Sequence, residues 1–118
     1  MKLIAVTLFF LALLSSCTYN KEELLYTYSC DTSNVKYSVQ VLNILTTNCI
    51  GCHSGAGASG GIRLDDYTSV RASAMSGRLL GSIAHEPGYR PMPDFSPKLP
   101  ECRIAEIRTW IRNGMLNN

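Results

Sequence analysis

Apolar residues recur three or four positions apart in several separate segments, which is the pattern of helices that bury one face. The first is residues 39–48, where Ser38 is the expected N-cap. The last is Glu101–Arg112, followed by Gly114 at a position where glycine commonly ends a helix. These two segments are expected to be the first and last helices of the folded domain.

Two short helices are expected between them. Either Asp65 or Asp66 is placed to cap a helix over Tyr67–Met75. Gly77 interrupts the pattern, and residues 78–85 predict a further short helix. The middle of the domain is thus expected to hold two short helices separated by a glycine.

Two other segments predict loops. Residues 54–61 are rich in glycine, and residues 86–100 contain all five prolines of the chain, which argues against regular helix or central strand. No alternating run of apolar and polar residues is long enough to predict a strand, and no internal repeat is present. The predicted fold class is a small all-α domain with long, constrained loops.

The N-terminal segment has the pattern of an export signal. Lys2 is followed by the apolar run 3–14, which is too short to span a bilayer but typical of a signal peptide. The residues LSSC at 14–17 resemble a bacterial lipobox, in which cleavage leaves a lipid-bearing Cys17 as the new N-terminus. The sequence therefore predicts a lipoprotein anchored to a membrane through Cys17.

This pattern divides the 118 residues into a lipoprotein signal peptide (1–16), a lipidated tether (17–34) and one domain (35–118). The protein is expected in the cell envelope, on the periplasmic side of the inner or outer membrane or exposed at the surface. Its formal net charge is +2, and no basic block or stripe is present, so nucleic acid is not an expected partner. We expect a monomer.

The number of cysteines is odd, which in an exported protein needs an explanation. If Cys17 carries lipid, Cys49 and Cys52 form one close pair and Cys30 and Cys102 are left at the edges of the domain. In an oxidising compartment the latter two are expected to form a disulfide. Every thiol is then assigned.

The stretch NCIGCH places His53 directly after two cysteines that are three positions apart. On a helical turn Cys49 and Cys52 project to the same side, where each thiol can add to a vinyl group of haem. His53 then lies beneath the iron and can ligate it, so the spacing is typical of c-type haem attachment. The predicted cofactor is one covalently attached haem c.

Three other interpretations of the motif compete. A zinc site needs four ligands and usually a second close pair, whereas Cys30 and Cys102 are far apart in the sequence. A thioredoxin-like site needs a preceding strand and a βαβ pattern, which the sequence lacks. A plain disulfide between Cys49 and Cys52 would leave His53 without a role.

The sixth iron ligand decides the function. Met92 lies between two prolines, whose fixed φ angles stiffen the loop that would hold a weak thioether ligand. Met75 and Met115 lie on or just after predicted helices, where methionine more often fills the core. His85, at the end of a predicted helix, is the rival ligand. An open sixth position would instead expose the iron to small molecules.

The order CIGCH, GGIRLDDY, RLLGSIAH, GYRPMP and EIRTWIRNG resembles the small class I c-type cytochromes, especially the lipoprotein-type monohaem versions of Bacteroidota. The resemblance covers about residues 35–116. It implies N- and C-terminal helices that cross around a covalently bound haem, His53 and Met92 as iron ligands, and electron transfer.

One departure concerns the residue that orients the haem histidine. Many members of the family have a proline soon after this histidine, and its carbonyl orients the imidazole. No proline follows His53 in residues 54–64, so we expect a glycine carbonyl of this loop to take that role.

Given the resemblance, the apolar residues expected to form the haem wall are Ile62, Leu64, Leu80, Ile83 and Tyr89, each of which also suits an ordinary core. The cations able to pair with haem propionates are Arg63, Arg78 and Arg90, although solvated surface arginine is an equal alternative. Trp110 is expected to pack between helices.

The predicted function is that of a membrane-tethered, single-haem electron carrier that transforms no substrate. Its partners would be redox proteins met through small, transient interfaces. The alternative is an envelope haem protein with a replaceable sixth ligand, either peroxidase-like or a small-molecule sensor. A third possibility is a binding lipoprotein without haem that is stabilised by two disulfides.

Overall fold

Residues 30–118 are described by a computed structural model of the chain. The predicted signal peptide, Cys17 and most of the predicted tether lie outside these residues. Within this part of the chain every regular element is helical, as the all-α prediction requires. None of the helices there is both long enough and apolar enough to cross a membrane.

The elements follow one another with loops of very different length. In chain order they are a π-helical turn (Tyr37–Val41) continuous with α1 (Leu42–Asn48), a 3₁₀ turn (Ser59–Gly61), α2 (Tyr67–Met75), α3 (Arg78–Ile83) and α4 (Glu101–Arg112).

The first helix does not begin as predicted. Ser38 lies inside the π-helical turn instead of capping it, and its amide donates to the carbonyl of Asn118 at 2.8 Å. The amide of Tyr37 donates to the side-chain oxygen of the same asparagine at 2.9 Å. Two amides of the first turn are therefore satisfied by the far end of the chain, which removes the need for a local cap.

Helix α2 has the predicted bounds because both of its ends carry local signals. The carboxylate of Asp66 accepts hydrogen bonds from the Ser69 amide (2.9 Å) and hydroxyl (2.7 Å). These two bonds lower the pKa of Asp66 below its ordinary value. After Ser76, Gly77 adopts a left-handed φ of 77°, which ends the helix.

Helix α4 also has the predicted bounds. Gly114 has a φ of 88°, its amide bonds to the carbonyl of Ile111, and the amide of Met115 bonds to the carbonyl of Trp110. This pair of bonds is the Schellman arrangement that glycine favours. The sequence signal for the end of the last helix is confirmed.

Helix α3 is shorter than predicted and also ends in a Schellman arrangement. The amide of His85 bonds to the carbonyl of Ser82, and the amide of Glu86 bonds to the carbonyl of Gly81. His85 therefore takes the left-handed position, with a φ of 56°, that glycine usually occupies. It lies beyond the helix, not within it.

The core joins all four helices. Its fully buried members include Val41, Ile44 and Leu45 before the motif, Val70 on α2, and Ile104, Ile107 and Trp110 on α4.

Trp110 is 1% exposed and packs between helices, as expected. Its ring lies 5.6 Å from that of Tyr37, and its indole N–H donates to the carbonyl of Leu116 at 2.9 Å. The first and last helical segments are thereby in direct contact.

The predicted disulfide is present. Cys30 is joined to Cys102, with their Cα atoms 5.4 Å apart. Cys102 lies in the first turn of α4, so the bridge ties the segment before the first helix to the start of the last one.

Candidate functional site

The motif forms a tight turn at the end of α1. The Cys49 amide donates to the carbonyl of Leu45 at 2.8 Å, and the Cys49 carbonyl accepts from the amides of Cys52 (3.1 Å) and His53 (3.0 Å). The two thiols are not bonded to each other; Cys49 is half-buried and Cys52 is exposed. The turn thus presents two unbridged thiols and one imidazole within five residues.

Cys49 has the environment of a packed thiol. It contacts the hydrophobic core, and burial raises its pKa to about 11. Catalytic thiols of redox-active C-x-x-C sites have a lowered pKa instead, and the strand that such a site requires is absent from residues 30–118. Nor do three His, Cys, Asp or Glu side chains converge to hold a metal ion in these residues.

His53 is oriented by the loop that follows it. Its Nδ1 lies 3.0 Å from the carbonyl oxygen of Ile62, which only accepts hydrogen bonds, so Nδ1 carries the proton. Nε2 is then the nitrogen with a lone pair for a metal. The orienting carbonyl belongs to Ile62 and not to a glycine, contrary to expectation.

The same loop is attached to the motif by its backbone. The amide of Ser59 donates to the carbonyl of Cys52 at 2.9 Å, and the amide of Leu64 donates to the carbonyl of His53 at 2.8 Å. Further along, the Gly55 amide donates to the carboxylate of Asp65 at 2.8 Å, and this bond lowers the pKa of Asp65. The glycine-rich segment is therefore folded back onto the motif, which places the Ile62 carbonyl beside His53.

Met92 is held at the end of α3. Its amide donates to the carbonyl of Ser82 at 3.0 Å, and its own carbonyl lies 3.1 Å from Nε2 of His85. The side chain of Met92 is partly buried. The two candidate sixth ligands therefore differ in their contacts, because one ring nitrogen of His85 is hydrogen-bonded to the backbone of Met92.

The other methionines differ from Met92. Met75, expected to fill the core, is 62% exposed instead, because it lies on the outer side of α2 near the helix end. Met115 is partly buried against the core.

Four of the five residues predicted for the haem wall belong to one apolar region. Leu64 and Ile83 are buried members of the core, and Ile62 and Leu80 are partly buried against it, as Cys49 is. Tyr89 is 36% exposed. The role of these residues as a haem wall stays a prediction.

Tyr89 packs against the backbone of α3. A Cβ atom added at Gly81 would lie 2.4 Å from Cδ2 of the tyrosine ring, and one added at Gly77 would lie 2.9 Å from its hydroxyl oxygen. The ring therefore occupies space that only glycine leaves open. This contact places the start of the loop that carries Met92.

A groove of about 430 Å³ lies beside the loop that follows the motif. It is lined by Gly61, Ile62, Arg63, Ser69, Ala72, Ser73, Ser76 and Arg78. Its volume is in the range of small-molecule sites. Of the residues that the sequence singled out for a haem, Ile62, Arg63 and Arg78 line this groove. The residues of the CIGCH motif and Met92 do not.

The three candidate arginines have different partners. Arg63 pairs with Asp65 at 3.1 Å and Asp66 at 3.3 Å, and Arg90 pairs with Asp94. Arg78 makes no ion pair within residues 30–118. Of the three, Arg78 is thus the one without a carboxylate partner in this part of the chain.

The chemistry of these donors fits a c-type haem. Two unbridged thiols in one turn suit thioether attachment, and an imidazole whose Nδ1 donates to a carbonyl suits iron ligation through Nε2. Met92, on a loop where both of its backbone groups are bonded, supplies a thioether of the kind that can ligate haem iron. Sequence reasoning found the thiols, the imidazole and the thioether, but it missed the Ile62 carbonyl and the hydrogen bond from His85.

Comparison of the chain with protein families, with curated proteins and with solved structures found no match.

Proposed function

We propose that this protein is a single-haem c-type cytochrome that carries electrons in the cell envelope. The observation that supports the proposal best is the hydrogen bond from His53 Nδ1 to the Ile62 carbonyl, 3.0 Å long, in a turn that also holds two unbridged thiols. A zinc site would need further ligands, a redox-active pair would need a thiol of lowered pKa, and a plain disulfide would need Cys49 and Cys52 to be bonded.

Each site residue has a defined role in this proposal. Cys49 and Cys52 would hold the haem covalently, and His53 through Nε2 and Met92 through its thioether would ligate the iron. The haem supplies an iron that takes up and releases one electron. Ligation by histidine and methionine raises the reduction potential relative to two histidines. With His53 and Met92 as ligands, the protein would carry an electron and transform no substrate.

The fold proposed is that of a small class I cytochrome c. Support comes from the contact between the first and last helical segments, where the rings of Tyr37 and Trp110 lie 5.6 Å apart. It also comes from the long loops on either side of α2 and α3, which carry His53 and Met92.

The proposed cellular setting follows from the sequence. Lipidation of Cys17 would tether the domain to a membrane, and the disulfide between Cys30 and Cys102 suits an oxidising compartment. The proposed partners are redox proteins that donate and accept single electrons.

The test is the absorption spectrum of the purified mature protein, made with haem-attachment machinery present, in the ferric and ferrous states. The proposal expects a c-type spectrum with the weak long-wavelength ferric band of sulfur-to-iron charge transfer. The band should disappear in Met92→Ala and persist in the matched control Met75→Ala, because Met75 is 62% exposed.

Two results would overturn the proposal. A colourless protein would show that no haem is attached and would favour a binding lipoprotein. A c-type spectrum that is the same in wild type and Met92→Ala, with ready binding of carbon monoxide or cyanide, would show a replaceable sixth position. The alternative of a sensor or peroxidase-like protein would then take its place.

A further inference from the structure

The backbone of Met92 is bonded on both sides by residues at the end of α3. Its amide donates to the Ser82 carbonyl at 3.0 Å, and its carbonyl lies 3.1 Å from Nε2 of His85. Because a carbonyl oxygen only accepts, the imidazole donates through Nε2–H. The two contacts hold one peptide segment to one helix end and define where the Met92 side chain begins.

His85 occupies a backbone position that favours glycine. It is the left-handed residue of the Schellman arrangement that ends α3, with a φ of 56°. A residue with a Cβ atom pays a steric cost in this conformation, which glycine avoids. The helix end by itself would therefore be served as well or better by glycine, and the benefit of histidine lies in its side chain.

Within residues 30–118 the side chain of His85 makes one hydrogen bond, and its acceptor is the carbonyl oxygen of Met92. The imidazole is only partly buried, so it does not serve as core filling. Its identified contribution is thus to hold the loop in which Met92 lies.

We propose that His85 is a positioning residue for Met92: its Nε2–H bond to the Met92 carbonyl keeps the thioether at the iron and opposes its displacement. This inference rests on the proposed function, since it gives Met92 the role of iron ligand. His85 acts through Met92 and does not itself touch the iron.

The test compares two variants of the haem-loaded protein. His85→Gly removes the donor and relieves the backbone cost, so the fold should be no less stable than wild type. His85→Gln keeps an N–H donor at nearly the position of Nε2. Loss of a hydrogen bond of ordinary net strength changes an equilibrium constant about fivefold. Added imidazole should therefore bind the ferric iron about fivefold more tightly in His85→Gly, and within about twofold of wild type in His85→Gln.

A second measurement does not use the iron and follows the clamp, by which we mean the hydrogen bond from His85 Nε2–H to the Met92 carbonyl. Hydrogen exchange of the Met92 amide, which is bonded to Ser82, should be about fivefold faster in His85→Gly and unchanged in His85→Gln. Equal imidazole affinity and equal exchange in all three proteins would overturn the inference. An increase in imidazole affinity and in Met92 amide exchange in His85→Gln that equals the increase in His85→Gly would also overturn it.

The outcomes separate this inference from the proposed function. If the exchange rates differ as expected but wild type lacks the sulfur-to-iron band, the clamp stands and ligation by Met92 is wrong. If wild type has the band and the three proteins do not differ, ligation by Met92 stands and the role of His85 is wrong.

Discussion

Replacing Gly81 by alanine should destabilise the protein, although alanine is the better helix former. The new Cβ atom would lie 2.4 Å from Cδ2 and 2.5 Å from Cγ of Tyr89. Since Cγ is one bond from the tyrosine Cβ, rotation of the ring about its own axis cannot clear the contact. Forced overpacking costs about 1–3 kcal/mol, against a gain of about 1 kcal/mol from helix propensity. We expect a net loss of up to about 2 kcal/mol.

Urea denaturation followed by circular dichroism measures the free energy of unfolding of each variant. In a Tyr89→Ala background the clash is absent, so Gly81→Ala should there stabilise α3 by about 1 kcal/mol. Gly57→Ala is the control, because its Cβ has no neighbour within 4 Å. It should not destabilise the protein. If Gly81→Ala stabilises the protein equally with and without Tyr89, the ring does not pack on α3 and the reasoning is refuted.

Three further predictions concern the rest of the fold. Replacing Cys30 and Cys102 together by serine removes a bridge across 72 positions and should lower stability by about 4 kcal/mol by the chain-entropy estimate; an unchanged urea midpoint would contradict this. Trp110→Phe removes the hydrogen bond to the Leu116 carbonyl and leaves a void, so the free energy of unfolding measured with urea should fall by about 2 kcal/mol. A decrease below about 0.5 kcal/mol would contradict the close packing of Trp110. Asp66→Asn should lower the thermal midpoint at neutral pH. Because the folded pKa of Asp66 is lowered from its ordinary 3.8, its stabilisation is complete above that value and is lost as the pH falls through the folded pKa. Wild type and variant should therefore converge in acid, and a constant difference in midpoint down to low pH would show that the charge has no part.

The helices that the sequence predicted with the right bounds are those whose end signals are local. Asp66 caps α2 through a residue three positions away, and Gly114 ends α4 through carbonyls of the preceding turn. The bounds of α3 were less accurate, because its end is marked by His85, which gives no glycine signal in the sequence. The predicted start of the first helix was wrong, because the amides of its first turn bond to Asn118 at the other end of the chain.

The candidate site shows the same division. The spacing of Cys49, Cys52 and His53 is itself the chemical signal, since it is the spacing typical of c-type haem attachment. The acceptor for His53 lies nine residues further on, at Ile62, and could not be named, because any carbonyl of a glycine-rich loop has the same chemistry. Which one reaches the imidazole depends on the path of that loop.

The sequence by itself thus determined the helical class, the thiols and imidazole of the motif, the pairing of Cys30 with Cys102 and the position of Met92 between two prolines. Tertiary structure decided which carbonyl orients His53, that His85 bonds to the backbone of Met92, and that Tyr89 lies on Gly81. The physical reason is the distance along the chain over which each interaction acts. Periodicity, capping and motif spacing act over a few residues, whereas these contacts depend on how loops return to a surface that distant parts of the chain have formed.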